Sequence, residues 1–498
     1  MHAAAVPAIL CVAAALRLWQ LDRDELWFDE AFAALIAVEP VHALVSELMR
    51  DSSPPLYFLL LRAWTLTVGG DPWTLRLLSV ICGALAIWGV FVLGRQLFGW
   101  RAATAAAALL ALSPLHIYYS REVRPYALLI ALAMASLLAL ERLGSAGRGH
   151  LVTYVVVTLA AAYTHNYGLL LLAVLGVWVV LRRVEVGPAA AAVALVVLGY
   201  AAWLPALTNQ LASGATSWVA VIWNAAPPEM ALFRSLAAFC IGGSSPEYVA
   251  LGTSGWPAVA HWTSYLVFAA LLASALVRQP AAGATRLALA LGVLLVLPLA
   301  ASFVTPIYLV GRHDVVALPL FLLLGGAGLV RLRRAAATAV GLAVGVLAIA
   351  AIHAFYSKPI ADLGRRQAAV LLEHAGSSDP ILTTGFTRNT VEYYVRHGQG
   401  LQPFHSFPTS FGAHRGWVDE QELQNEAALS ADARRLVASL REALAKAGTL
   451  WIIHSRELRG PNDLLMHHVM GSLRQVTCPG DAETIGISCW RTTRPAAS

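Results

Sequence analysis

The chain of 498 residues is 58% hydrophobic and only 13% charged, about half the ~25% charge of a soluble domain. Apolar stretches of about 17 to 22 residues recur as far as about residue 355, the length a bilayer core demands of a helix, so a single soluble domain is excluded. The net charge of +6 does not mark a nucleic-acid binder, because the basic residues fall mostly in short loops between apolar stretches.

In chain order, membrane spans are predicted at 3–19, 75–93, 103–117, 125–140, 151–164, 167–181, 189–206, 261–277, 286–303, 315–330 and 335–355, about eleven in all. The first lacks a basic leader and a cleavage site, so it reads as an uncleaved helix rather than a signal peptide. The stretches at 103–117, 151–164 and 167–181 are short for a full crossing, which points to tilt, bilayer thinning or a re-entrant break. Arg95 and Arg101, Arg142 and Arg148, Arg182 and Arg183, Arg278 and Arg286, then Arg331, Arg333 and Arg334 occupy alternate loops. The positive-inside rule puts those loops in the cytoplasm. The other loops, including the long ones at 20–74 and 207–260, then face outward, and an odd span number leaves the tail outside. The preference for Arg over Lys, with abundant Ala, Gly and Val, reads as coding bias of a GC-rich bacterium. The expected home is the bacterial cytoplasmic (inner) membrane.

Beyond residue 356 the composition turns polar and charged. Helices are predicted at 362–374, 390–397 and 429–447, with buried strands at 380–384 and 450–454. Alternating helix and strand predicts a small α/β domain. The organisation is thus a polytopic helical membrane domain, 1–355, followed by a soluble extracytoplasmic α/β domain, 356–498. Cys11, Cys82 and Cys240 lie in or near apolar stretches and act as small hydrophobes. Cys478 and Cys489 flank a Pro-Gly turn in the outward tail; an oxidising compartment permits their pairing, and the sequence leaves it open.

The chemistry is concentrated after the first span. Asp29 and Glu30 follow two aromatic residues in a loop whose acids the orientation rule does not require. A carboxylate at a membrane surface beside an apolar wall is partly desolvated, which suits a general base. Asp22-Arg-Asp24 has a DxD spelling but falls on the side without nucleotide sugars, and reads as coincidence. Later come Asp51-Ser-Ser-Pro-Pro-Leu-Tyr57, Leu75-Arg-Leu-Leu-Ser79, and Leu112-Ser-Pro-Leu-His-Ile-Tyr-Tyr-Ser-Arg-Glu-Val-Arg-Pro-Tyr-Ala127. Thr164-His-Asn-Tyr-Gly168 and Gly311-Arg-His-Asp314 complete the series.

This series, in this order, resembles the protein O-mannosyltransferase branch of the GT-C superfamily of membrane glycosyltransferases, which includes the lipid A aminoarabinose transferases. The resemblance covers most of residues 20–330 and not the tail. It implies a GT-C fold and an inverting transfer of sugar from a polyprenyl-phosphate donor to a hydroxyl of a lipid, cell-wall glycan or protein. Asp29 is then the catalytic base, with Glu30 and Glu122 as further catalytic candidates. Glu122 would position the acceptor or bind a metal. Substrate-binding candidates are Asp51, Tyr57, Arg121, Arg124, Tyr126, His165 and Arg312, the arginines because a departing phosphate needs fixed positive charge. A lipid monophosphate asks for less neutralisation than a diphosphate; no cofactor is required and a divalent metal is left open. Trp218, Trp223, Trp256 and Trp262 are candidates for the interface belt or for stacking on a sugar, and 230–239 for a lid lying on the membrane. The competing readings are a lipid-linked sugar transporter or flippase, which expects charge at mid-membrane, and a non-catalytic glycolipid-binding protein.

Overall fold

The computed structural model describes residues 2–143, 148–182, 185–212, 217–225, 228–241, 258–277, 281–413, 416, 423–444, 448–455 and 459–492. Helices dominate the first 356 residues: α1 (His2–Leu18), α2 (Phe28–Ala37), α3 (Val41–Arg50), α4 (Leu56–Thr67), α5 (Pro72–Phe98), α6 (Trp100–Leu112) and α7 (Pro114–Tyr119). Then come α8 (Tyr126–Arg142), α9 (Arg148–Thr164), α10 (Leu170–Arg182), α11 (Val186–Tyr200), α12 (Leu204–Ala212), α13 (Ser217–Asn224) and α14 (Ala231–Phe239). The last four are α15 (Ala258–Leu276), α16 (Ala282–Ser302), α17 (Leu318–Arg331) and α18 (Arg334–Tyr356). Among the described residues, six helical stretches are long and apolar enough to cross a membrane; the predicted spans fall on helical segments, with 103–117 running across the break between α6 and α7 and 189–206 across the junction of α11 and α12. The protein is a multi-pass membrane protein.

Local sequence explains several starts. Asp71 accepts from the Thr74 amide at 3.1 Å and Pro72 opens α5; an acidic cap satisfies an amide that has no partner within the helix, and a proline there has no amide to leave unpaired. Ser113 and Pro114 start α7 in the same way. Helices α5, α6, α8 and α17 pack closely around an apolar core of Ala, Leu, Val and Phe. At one end of the bundle Arg286 of α16 pairs with Glu141 of α8 at 3.3 Å, so two of the basic loops gather there. Arg183 and Arg278 lie outside the described residues.

The stretch read as the first long loop, 20–74, is largely helical. Its helices α2, α3 and α4 are too short for spans, and hydropathy over a span-length window does not reveal them. They close over the opposite bundle end around a second apolar core, with Phe32, Ile36, Leu44, Leu48, Tyr57, Phe58 and Leu61 buried against Leu75, Val123 and Trp203. The long stretch 207–260 contains α13 and α14; Trp256 lies outside the described residues, while Phe233 of α14 is exposed and packs edge-on against Tyr265.

The tail forms the predicted α/β domain. A five-stranded sheet runs β2-β1-β3-β5-β4, with β1 (Ile381–Thr384), β2 (Phe404–Phe407), β3 (Leu450–Ile453), β4 (Leu473–Val476) and β5 (Ile487–Thr492). Strands β1, β2 and β3 are parallel, and β5 is antiparallel to both β3 and β4. Side chains alternate between faces. Leu382, Leu450 and Ile452 meet α22 (Glu426–Leu444) and α23 (Arg459–Met470), counting the short Ser410–Ala413 turn as α21. Ile381, Trp451 and Ile453 meet α19 (Leu363–His374) and α20 (Arg388–His397). Cys478 and Cys489 form a disulfide, with Cα atoms 5.4 Å apart.

Candidate active site

Asp29 lies in the first turn of α2, at the bundle end covered by α2–α4. Arg312 reaches it from the turn ahead of α17, and its Nη2 donates to Asp29 Oδ2 at 2.5 Å. Arg124, from the turn between α7 and α8, brings Nη2 within 3.5 Å of the same oxygen. Arg312 also donates through Nε to the Tyr126 hydroxyl at 2.6 Å. Its guanidinium sits over the rings of Trp218, Trp27 and Tyr126, at 5.1, 5.6 and 5.7 Å. Aromatic faces attract such a cation and fix its plane. Burial pushes the Asp29 carboxyl up, but the charges of Arg124 and Arg312 and the Arg312 hydrogen bond outweigh it and hold the group below the usual aspartate value.

Glu30, one residue on, has a different task. It is 1% exposed and receives Arg76 Nε at 2.8 Å and Nη2 at 2.6 Å, a bidentate pair. It also accepts the Val123 amide at 2.9 Å and the Trp27 amide at 3.4 Å. Arg76 spends its remaining donors on the carbonyls of Leu21, Asp24 and Glu25. This buried pair ties α2, α5 and the Glu122–Arg124 turn together, and its acid oxygens are committed. Glu122 itself is 5% exposed with Oε1 unpartnered among the described residues. Burial first, and then the Glu30 charge, pushes its carboxyl up to about 8. Gly83 of α5 makes room for this turn: a Cβ there would come within 2.3 Å of Ser120 Oγ.

The other candidates divide. Asp51 is buried close enough to Arg124 and Asp29 to feel both charges; burial nonetheless leaves its carboxyl raised. His165 accepts the Tyr167 amide on Nδ1 at 3.1 Å and faces His313, with ring centres 5.3 Å apart. Burial, reinforced by His313 and the two arginines, keeps it well below the usual histidine value. Tyr57 stands apart, in the apolar core of α2–α4, with its hydroxyl 3.5 Å from Ser79 Oγ. Arg121 lines a cavity together with Glu122 and Arg312, but its donors are taken up elsewhere: its Nη atoms donate to the carbonyls of Leu16, Arg17, Trp19 and Gln20 and to the Tyr356 hydroxyl. It binds the carboxyl end of α1, where helix carbonyls lack intrahelical partners.

Two cavities meet at Arg312. The larger, about 480 Å³, is walled by Trp27, Glu30, Arg76, Glu122 and by the 355–361 linker into the tail. The smaller, about 250 Å³, is walled by Ser52, Arg124, Tyr126, His165, Trp218 and His313. Arg312 lines both. Among the described residues no three of His, Cys, Asp and Glu converge as a metal site. Arg76 and Lys358 were missed as site residues. The signal for Arg76 was a lone arginine in the first turn of a long apolar span, where its cost demands a partner.

The fold is that of the GT-C glycosyltransferases. Residues 52–208 match a family described as dolichyl-phosphate-mannose-protein mannosyltransferase, a segment that holds Arg76, Glu122, Arg124 and His165 and begins after Asp29. Among solved structures, ArnT from Cupriavidus metallidurans bound to undecaprenyl phosphate aligns over 99% of both chains, at 15% identity and a TM-score of 0.62. Its apo state aligns over 97% of both chains at 14% identity and a TM-score of 0.63. The oligosaccharyltransferase AglB from Archaeoglobus fulgidus, in complex with an inhibitory peptide and a dolichol-phosphate, matches the whole chain and 75% of its own length, at 11% identity and a TM-score of 0.55. No curated protein matches the sequence.

Proposed function

We propose that the protein is an inverting glycosyltransferase that moves a sugar from a polyprenyl-phosphate donor to a hydroxyl acceptor. The observation that carries this reading is the Arg312–Asp29–Arg124 cluster, whose Arg312 lines both cavities and whose Arg124 lines the smaller, with Asp29 directly behind them. The cavities supply separate approaches to one reacting centre, one for each substrate. Structural likeness to a transferase bound to undecaprenyl phosphate supports the donor class.

In the resting protein Asp29 is a weak base, because two guanidinium groups stabilise its ionised form. A donor phosphate competes for Arg312 through bidentate hydrogen bonds. As Arg312 turns to the phosphate, the half-buried Asp29 loses one of its two guanidinium partners and its one hydrogen bond from them, and its basicity rises. It then takes the acceptor's hydroxyl proton while that oxygen attacks the anomeric carbon from the face opposite the phosphate. The bond from the anomeric carbon to the phosphate oxygen breaks, and its electron pair leaves with polyprenyl phosphate, held on Arg312. Donor binding thus activates the base, and an acceptor arriving alone meets an idle carboxylate.

This reading sets the site and tail on the exterior side of a bacterial inner membrane. The Arg286–Glu141 end of the bundle, opposite the site, and the tail disulfide both support it. A flippase is the runner-up; the charge gathered at one bundle end favours surface chemistry over it. The test is transfer from radiolabelled polyprenyl-phosphate sugars in membranes, with wild type against Asp29→Asn. Product from wild type and almost none from an equally folded variant supports the reaction and its base. Equal product from both removes Asp29 from the mechanism, and none from either across several donors favours the flippase.

A further inference from the structure

The acids that precede Asp29 are committed to the C-terminal domain. Helix α19 has its own cap residue, Asp362, yet Asp362 makes no side-chain cap. Glu25 takes that place from the other end of the chain: its Oε2 accepts the Arg365 amide at 2.8 Å. The Glu25 amide donates to the Ala361 carbonyl at 2.7 Å, and the Ala361 amide donates back to Asp24 Oδ1 at 3.1 Å. Arg365 Nη2 donates to the Asp22 carbonyl at 3.1 Å, and Arg23 donates to the carbonyls of Tyr356 and Lys358. A carboxylate on the first-turn amides of a helix is held by hydrogen bonding and by the helix dipole together.

The grip continues up to the reacting residue. The Leu26 amide donates to the Tyr394 hydroxyl of α20 at 2.9 Å. Phe28 meets Phe386 edge to face at 5.0 Å. Tyr393, the neighbour of Tyr394, is buried in the α2–α4 core and donates to the Gly70 carbonyl at 2.7 Å. On the opposite side of the same segment, Arg76 holds the carbonyls of Leu21, Asp24 and Glu25. The backbone from Asp22 to Phe28 therefore runs between a membrane helix and two helices of the tail, and Asp29 follows directly.

We infer that the C-terminal domain is the positioning device for the Asp29 carboxylate, acting through Glu25 and Tyr394; this rests on the reading of Asp29 as the base. Without the tail, the segment loses the Ala361, Arg365, Tyr394 and Phe386 contacts and keeps those to Arg76 and to the α2–α4 core, so the backbone that carries Asp29 is braced on the membrane side alone. Reacting groups must be held within about 0.5 Å of productive geometry, and a displacement of about 1 Å far from the chemistry costs about a hundredfold.

The test uses the full-length protein in lipid nanodiscs, with Glu25→Ala, Glu25→Gln and Tyr394→Phe beside wild type and Asp29→Asn. Two readouts are taken: hydrogen exchange of amides at residues 24–32, and sugar transfer from a panel of radiolabelled polyprenyl-phosphate sugars. Glu25→Ala and Tyr394→Phe are expected to speed exchange at 24–32 while β1–β3 stay protected. They should lower kcat about 10- to 100-fold with KM for the donor nearly unchanged. Glu25→Gln, which keeps an accepting oxygen, should recover part of the loss. Unchanged exchange at 24–32 overturns the inference whatever the transfer shows, and so does faster exchange with wild-type kcat. A silent Asp29→Asn beside fully active Glu25 and Tyr394 variants overturns the positioning role and leaves the base standing. An active Asp29→Asn overturns the base itself.

Discussion

Arg312 and Asp29 lie 283 residues apart in sequence and 2.5 Å apart in the fold. The pair joins the first turn of α2 to the turn that leads into α17, and the two cavities meet at its arginine. A single ion pair thus brackets most of the membrane domain, and its exchange for a phosphate pair is the step on which the proposed mechanism turns.

Asp29→Asn keeps the hydrogen bond to Arg312 but removes the proton acceptor. Transfer should fall about a hundredfold or more, with binding of polyprenyl phosphate retained. Equilibrium binding and single-turnover transfer measured on one preparation separate the two effects. Wild-type turnover in the variant would rule out Asp29 as the base.

Arg312→Lys keeps a charge but loses the planar fork that holds Asp29 and Tyr126 at rest and pairs with a phosphate in exchange, so KM for the donor should rise about tenfold or more. The sign of the pH effect follows from burial. Arg312 and Arg124 hold the Asp29 carboxyl below its usual value against a desolvation that raises it. With Arg312→Ala, that carboxyl titrates higher, and because only its ionised form accepts a proton, the acid limb of kcat/KM moves to higher pH. A limb that stays in place would separate Arg312 from the base.

Glu122 carries a raised carboxyl, pushed up to about 8 by burial. Above the ordinary glutamate value the unfolded chain gives up this proton while the folded protein keeps it. Folded stability therefore declines as pH rises from about 4.5 to about 8. Glu122→Gln removes the penalty, so it should raise the melting temperature more at pH 9 than at pH 5. An equal shift at both would mean that Glu122 is ionised throughout.

The Glu30–Arg76 pair is buried on both sides, with side chains 1% and 7% exposed. Removing one partner leaves an uncompensated charge, at a cost of about 3–5 kcal/mol. Arg76→Met should lower the melting temperature sharply even with donor present, whereas Asp29→Asn should not. Unchanged melting of Arg76→Met would show that the pair contributes little to the fold.

The disulfide closes a loop of sequence separation 11, and a loop of about that size stabilises by about 3 kcal/mol in the chain-entropy account. Cys478→Ser should make the tail the first part to unfold on heating, seen as early exchange in β4 and β5. If the tail clamps the acid segment, that loosening should also lower transfer.

The apolar helices of the membrane domain were legible because a long run of apolar residues is a local property and needs no tertiary information. Two tail strands and three tail helices were legible for the same reason, through periodicity and β-branched content. Strands β2, β4 and β5 were not. They are four to six residues long and carry polar or charged positions, so only pairing with a neighbour makes them strands. Helices α2 to α4 were hidden because their apolar face is completed by Val123 and Trp203 from elsewhere in the chain.

The candidate site divides along the same line. Asp29, Arg124, Tyr126 and Arg312 stand out by residue type in a series of motifs, and the fold gathers them. Arg121 stands out equally and is committed to the end of α1, while Arg76, in a quoted motif that does not name its partner, orders the acid pair. Residue type records which groups can carry charge, accept protons or cross lipid, because those are properties of side chains. Which guanidinium meets which carboxylate depends on how helices far apart in sequence cross, and only the packed structure decides that.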